Sequence, residues 1–336
     1  MSFTGPQRHT GIFFVVFVLG VLSQRVGAQP PPDAKAAIPY VKPPAHAKTF
    51  RVRHIEGQVV LVPTSEKQVG AASGLHLALF NENQASVSTV VSGDNGQFEI
   101  RDAAPGFYTL VVAEETLHSL SIPLQVTEGA SASVPADPAL LLYMRPKTER
   151  RQSVAAPITN RLLRAELLVR VAEDQEIRNE MIRHGMEHPD KQIQTRYADI
   201  DARNLARMRA IVHRYGWPDL ALVGIDGTEA AFLLLQHCPY DFQKMLLPRI
   251  RKASLSGKLS GQDYALLLDR VLMREGKPQI YGTQVANWNN KEPVFYTIKD
   301  AVHVDQRRAK LMLPPISDYV KVLKEAYFPA EKDKPY

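Results

Sequence analysis

Two regimes of hydrophobic patterning predict an all-β sandwich followed by a mainly α-helical domain. Apolar residues alternate with polar ones from Phe50 to about Val134, and recur three and four positions apart from Arg161 onward. A chain of 336 residues has the length for two domains, each with its own core. Hydrophobic content of 45% and charged content of 23% are ordinary globular values, which excludes wholesale disorder.

Residues 1–28 read as a signal peptide. Arg8 precedes an apolar stretch from Gly11 to Leu22, and Val26, Gly27 and Ala28 supply small residues before a cleavage site after Ala28. The stretch is shorter than the ~20 residues that span a bilayer, although retention as an anchor is the competing reading. A secreted or periplasmic location is therefore expected, with no membrane span after removal of the signal. Arg8 and Arg25 fall inside it, so the formal charge drops from +6 to +4. That mild excess, without basic clusters interleaved with aromatics, argues against nucleic acid as a partner. Cys238 is the single cysteine, so no disulfide forms within the chain.

Residues 29–49 contain "QPPPDAKAAIPYVKPPAHAK", whose proline density predicts an extended tether. Residues 50–135 carry short runs such as "HIEGQVVLV", "GLHLALFN" and "FYTLVV", separated by turns, which predicts antiparallel strands. "SGDNGQF" places Asp94, Asn95 and Gly96 where a hairpin needs positive φ, and Pro105–Gly106 marks a second turn. The Asp94–Gly96–Phe98 and Pro105–Gly106–Tyr108 patterns resemble the carboxypeptidase regulatory-like, transthyretin-like fold. That resemblance implies an accessory binding or structural domain without catalytic residues.

Residues 136–156, punctuated by proline and carrying Lys147, Arg150 and Arg151, read as a linker. The helical domain is placed at 157–325. Its first helix has apolar residues at Leu163, Leu167, Leu168 and Val171. Further helices are expected over Ala198–Tyr215, Thr228–His237, Phe242–Leu255 and Gln262–Glu275. Asp226 and Glu229 suit a capping box for the helix Thr228–His237.

Polar residues enter the apolar runs at two places. Gln236 and His237 end the run "AAFLLL", and Asp269 and Arg270 interrupt "YALLLDRVLM". Buried charge demands partners. Gln279, Tyr281, Thr283 and Gln284 lie just past the last helix and offer both donors and acceptors. His237 and Asp269 are the candidate catalytic pair, with Asp269 orienting the imidazole. Gln236, Arg270, Gln279, Tyr281, Thr283 and Gln284 are candidate substrate-binding residues. A helix-end histidine satisfied by a backbone carbonyl is the competing account of His237.

These residues resemble a bacterial helical domain of unknown function found on exported and multidomain proteins. The matching pieces are "GWP" at 216–218, "VG" at 223–224, "QH" at 236–237, "FQ" at 242–243, "DR" at 269–270 and "YGTQ" at 281–284, then "VDQRRAKLMLPPISDY". The resemblance implies a fold and no established activity.

Cys238 reads as a buried inert thiol, because side chains adjacent on a helix diverge. His184 and His188 have zinc-helix spacing without the glutamate that a metalloprotease needs, so no metal and no cofactor is expected. Gly224 and Gly227 lack the lysine of a phosphate loop and read as a turn and cap. Asp305, Gln306, Arg307, Arg308 and Lys310 read as a solvated face. Two functions remain open: a two-domain interaction protein with a polar pocket in the helical domain, binding a peptide, glycan or cell-envelope partner, or a hydrolase with His237 as general base.

Overall fold

The computed structural model describes residues 38–62, 70–128, 139–148, 153–184 and 190–328. The predicted signal peptide, residues 29–37 of the tether, Arg150, Arg151 and His188 lie outside these residues.

Among the described residues ten strands build the first domain: β1 (Phe50–Val52), β2 (Ile55–Leu61), β3 (Gly70–Ala71), β4 (His76–Asn81), β5 (Ser86–Val91), β6 (Gln97–Ile100), β7 (Gly106–Val112), β8 (Leu120–Val126), β9 (Leu140–Met144) and β10 (Val154–Pro157). One sheet runs β1-β8-β7-β4-β5, and the other runs β10-β9-β2-β3 with β6 also on β2. Alternate residues meet between the sheets, among them Ile55, Val59, Leu77, Leu79, Leu110, Ile122, Leu140 and Leu142. The expected turns form: Gly96 adopts φ +69°, and the Tyr108 hydroxyl donates to the Ala104 carbonyl across the Pro105–Gly106 turn.

Two expectations need correction. The linker contains β9 and β10, and β9 pairs in parallel with β2 from Gly57–Leu140 to Leu61–Met144. The opposite face of this sheet is covered too, since Val60 and Leu141 pack with Ile158, Leu220 and Ile225. A strand buried on both faces loses alternation and reads as a bare apolar run. The described end of the tether is also anchored, because Ile38, Tyr40 and Val41 pack on Ala78, Phe80 and Val111, and Ser121 Oγ donates to the Val41 carbonyl.

The second domain comprises α1 (Arg161–Arg183), α2 (Lys191–Tyr215), α3 (Leu220–His237), α4 (Tyr240–Leu255), α5 (Gly261–Arg274), the hairpin β11 (Val285–Asn289) and β12 (Glu292–Phe295), α6 (Val304–Ala309) and α7 (Ile316–Tyr327). Asn160, Asp190, Asp219 and Ser260 cap α1, α2, α3 and α5 through their side-chain oxygens. The core gathers Leu167, Met208, Ile211, Phe232, Leu235, Leu246 and Leu267.

Helix α2 begins earlier than its apolar periodicity predicts. The first turns of α2 are polar, so its pattern emerges late. α3 is two helical segments joined by a kink at Gly224, whose φ of +73° and ψ of −179° are non-helical, and the second segment begins close to the expected start at Thr228. Asp226 does not form the expected capping box for that segment and instead takes a bidentate contact from Arg164, at 2.8 and 2.6 Å.

The kink is where the domains meet. Gln58 of β2 accepts from the Ile225 N–H at 2.9 Å, and a Cβ on Gly224 would lie 2.5 Å from Gln58 Oε1. Arg161 pairs with Glu56 beside it. Among the described residues no helix is long and apolar enough to cross a membrane.

Leu142→Ala tests the reassigned strand. As a fully buried core residue of β9 it should lower unfolding free energy by about 2–5 kcal/mol in denaturant titration, whereas a linker residue would leave it unchanged.

Candidate functional site

The apolar stripe of α1 continues from Leu163, Leu167 and Val171 into Asp174 and Arg178, so the helix presents a charged pair to its neighbours at i, i+4 spacing. Asp174 is 1% exposed. Arg178 joins α1 to α2, with Nη1 2.9 Å from Asp174 Oδ1, Nη2 2.8 Å from Asp201 Oδ1 and its guanidinium 4.8 Å over the Tyr197 ring. From α3, His237 brings Nδ1 to 2.7 Å from Asp174 Oδ2. That contact is short but off-axis, and Nδ1 makes no well-directed hydrogen bond.

The carboxylate facing His237 is therefore that of Asp174 and not Asp269, which corrects the sequence pairing. Sequence spacing hid the partner, which lies on another helix 63 residues away. Burial depresses the imidazole pKa below its usual value, as do the nearby Arg178 and Arg270 charges, and Asp174 opposes this. Near neutral pH the ring is uncharged.

Asp269 is fully buried and committed elsewhere. Its carboxylate accepts from the N–H groups of Ile280, Tyr281 and Thr283 at 2.7, 3.1 and 3.1 Å, and from the Thr283 hydroxyl at 3.0 Å. Burial raises its pKa, and these donors pull against the shift. Gly282 takes φ +69° inside this loop, where a Cβ would meet Ile316 at 2.7 Å.

Gln279 stitches the loop to the hairpin, donating to the Gln284 and Tyr296 carbonyls and accepting from the Gln284 N–H. Gln284 donates to the Thr283 hydroxyl, and Tyr319 reaches the Thr283 carbonyl. Tyr281 packs edge-on to Tyr264, and burial pushes its phenol up to about 12. Arg308, read from sequence as solvated, is buried and donates to the Tyr281 and Pro314 carbonyls, while Arg307 donates to that of Ile280.

The remaining candidates converge at the C-terminal end of α3. Arg270 Nη1 donates to the Gln236 carbonyl at 2.7 Å, and Gln243 Nε2 donates to the Gln236 and Cys238 carbonyls, each at 2.9 Å. These donors meet the negative end of the helix dipole. Burial and repulsion from Arg274 lower Arg270 to about 10, so it stays charged near neutral pH.

The Gln236 side chain is 3% exposed, yet neither its amide nitrogen nor its oxygen has a hydrogen-bond partner among the described residues. The structure thus brings together Gln236, His237 and Arg270 with Asp174 and Arg178. Asp269, Gln279, Thr283 and Gln284 form a separate scaffold. The Cys238 thiol is buried and pushed up to about 12 by that burial, as an inert thiol requires.

Sequence reasoning also missed an acidic pair. Burial and the Asp226 charge push Glu229 up to about 7, although its outer edge is open to solvent, and burial and Glu229 raise Asp263. Among the described residues no group of three His, Cys, Asp or Glu side chains gathers to hold a metal.

Two expectations follow. Asp269→Asn turns one acceptor into a donor aimed at N–H groups and should lower stability by about 3 kcal/mol or more in urea titration. His237, with its folded pKa below the unfolded value of about 6.5, binds fewer protons when folded, so its stabilising contribution is present above that value and lost as pH falls below it. Nitrogen NMR of the ring should find it neutral at pH 6.5 in the folded protein. A half-charged ring at that pH would contradict the burial argument.

Comparison with known proteins places these features in context. Among solved structures the chain is similar to the 5-hydroxyisourate hydrolase of Klebsiella pneumoniae, at 14% identity over 32% of this chain and 98% of that one. The TM-score is 0.23, too low to carry any argument about activity. No curated protein matches the chain. Residues 161–332, just over half the chain and including every residue at the α3 end, match the family of unknown function DUF6624, and the chain belongs to that family.

Proposed function

We propose that the chain is an exported two-domain binding protein whose helical domain holds a small polar ligand at the C-terminal end of α3. Gln236, His237 and Arg270 are the binding residues in this reading. Asp269, Gln279, Tyr281, Thr283 and Gln284 build the scaffold behind them.

One observation carries the reading: a buried carboxamide with no hydrogen-bond partner among the described residues. Leaving such a group unpaired costs roughly 1–3 kcal/mol. A core that needed only packing would be better served by leucine there. A ligand that pairs the amide recovers that cost, and a peptide amide or a glycan hydroxyl supplies both the donor and the acceptor it needs. Neutral His237 and charged Arg270 add a ring nitrogen and a fixed cation beside it.

A second reading rests on the 2.7 Å contact between Asp174 and His237. A carboxylate this close to Nδ1 favours electrostatically the tautomer protonated there, which leaves Nε2 basic, as a general base for water requires. In that case the bound ligand is hydrolysed.

Gln236→Leu separates a ligand site from a structural network. Removing the unpaired amide should raise unfolding free energy of the free protein by about 1 kcal/mol, while abolishing retention on arrayed glycans or peptides. A less stable variant would show that the amide serves the fold, and the binding reading would be lost. Asp174→Asn then divides the two readings, since it should spare binding and remove any hydrolysis.

A further inference from the structure

A cleft of about 580 Å³ lies where the sandwich meets the helical domain, lined by residues of β2, β5 and β6 together with Ile158 and Arg164. Its size suits a small molecule, since ligand clefts run from about 300 to 1,000 Å³. Gln58, 1% exposed, forms part of its wall. The Ile225 N–H points at this side chain, which fixes the oxygen there and leaves the nitrogen as the other atom of the amide. That Nε2 is buried and has no acceptor among the described residues.

The charged groups around the cleft are already matched. Glu56 and Glu99 stand directly opposite each other on β2 and β6, a repulsive arrangement by itself. Glu56 pairs with Arg161, Glu99 pairs with Arg101 at 2.9 Å, and Arg164 pairs with Asp226 at 2.6 Å. A charged ligand would have to break one of these pairs. An uncharged one need not, because each carboxylate keeps lone pairs that accept from hydroxyl or amide hydrogens. The unmet demand of the wall is for one acceptor oxygen at Gln58.

We infer that this interdomain cleft binds a small uncharged saccharide, which gives a hydroxyl or amide oxygen to Gln58 Nε2 and hydroxyl hydrogens to Glu56 and Glu99. The site is separate from the end of α3. Because its walls come from both domains and Gln58 also holds the kink of α3, the ligand ties the sandwich to the helices.

The test is a proton–nitrogen NMR titration of the full chain, following the Gln58 side-chain amide with chitobiose, maltose and inorganic phosphate as separate probes. A saturable shift with either saccharide and none with phosphate is expected. Gln58→Glu keeps the acceptor for Ile225 but removes the donor, and should weaken saccharide binding about tenfold, the worth of one hydrogen bond, read by calorimetry. Val91→Trp fills the mouth from a half-exposed position and should abolish binding with the melting temperature unchanged, so the test stands if Gln58→Glu does not fold.

Gln236→Leu should leave the titration unaltered, which separates this site from the one at α3. No shift with either saccharide overturns the inference. So does a shift with phosphate alone, or binding that survives Val91→Trp undiminished.

Discussion

Burying the Asp269 carboxylate is the constraint on which the C-terminal half of the helical domain depends. A carboxylate removed from water is tolerated only when donors replace its hydration. Here the chain brings three backbone N–H groups and a hydroxyl to it by curling residues 280–283 around the end of α5. That curl turns the carbonyls of Ile280, Tyr281 and Thr283 outward, where Arg307, Arg308 and Tyr319 meet them. The loop thereby recruits α6 and α7. Gly282 is required because the turn needs positive φ with Ile316 close by. One acidic side chain in an apolar helix thus organises about fifty residues beyond it.

The end of α3 follows a different logic. Its terminal carbonyls are met by Gln243 and Arg270, and the histidine beside them meets a carboxylate that is itself held by Arg178. Charge is balanced locally across three helices, with aspartates from α1 and α2 sharing one arginine. Yet the Gln236 amide, enclosed by these groups, makes no hydrogen bond of its own among the described residues. Networks of this kind fix a core when complete and are costly when one member is left out.

The sequence was most readable where a local rule decides the structure. Alternation gave the strands of the first sheet, the Asp-Asn-Gly turn gave the positive φ at Gly96, and the apolar stripe gave α1. It was least readable where partners come from afar. Leu140–Met144 looked like a connector because a strand covered on both faces has no alternation, and its covering residues Ile158, Leu220 and Ile225 belong to the other domain. Gln236, His237 and Arg270 could be nominated as polar intrusions into apolar runs. The choice of Asp269 as the partner of His237 failed because the nearer polar loop consumed that carboxylate. Asp174 and Arg178 were visible in principle as charges continuing the α1 stripe, a pattern that signals a buried pair only once α2 and α3 are known to pack there.

Buried polar groups in this protein therefore sort by whether the fold completes them. Asp269, Gln279, Gln284 and Arg308 are buried and paired chiefly with backbone, and such pairing ties them to the architecture. Gln58 and Gln236 are buried to the same degree with amide groups that the fold leaves open. Both are glutamines, whose length lets the backbone pack normally while the Gln58 amide nitrogen and the whole Gln236 amide stay unpaired, and both sit beside arginine–carboxylate pairs that neutralise the surrounding charge. An amide in such surroundings gains most from an uncharged partner, since the local charges are already matched. Completed groups thus build the frame, and Gln58 and Gln236, the two glutamines among the six described side chains that keep a buried unpaired polar atom, mark where recognition by this frame is best sought.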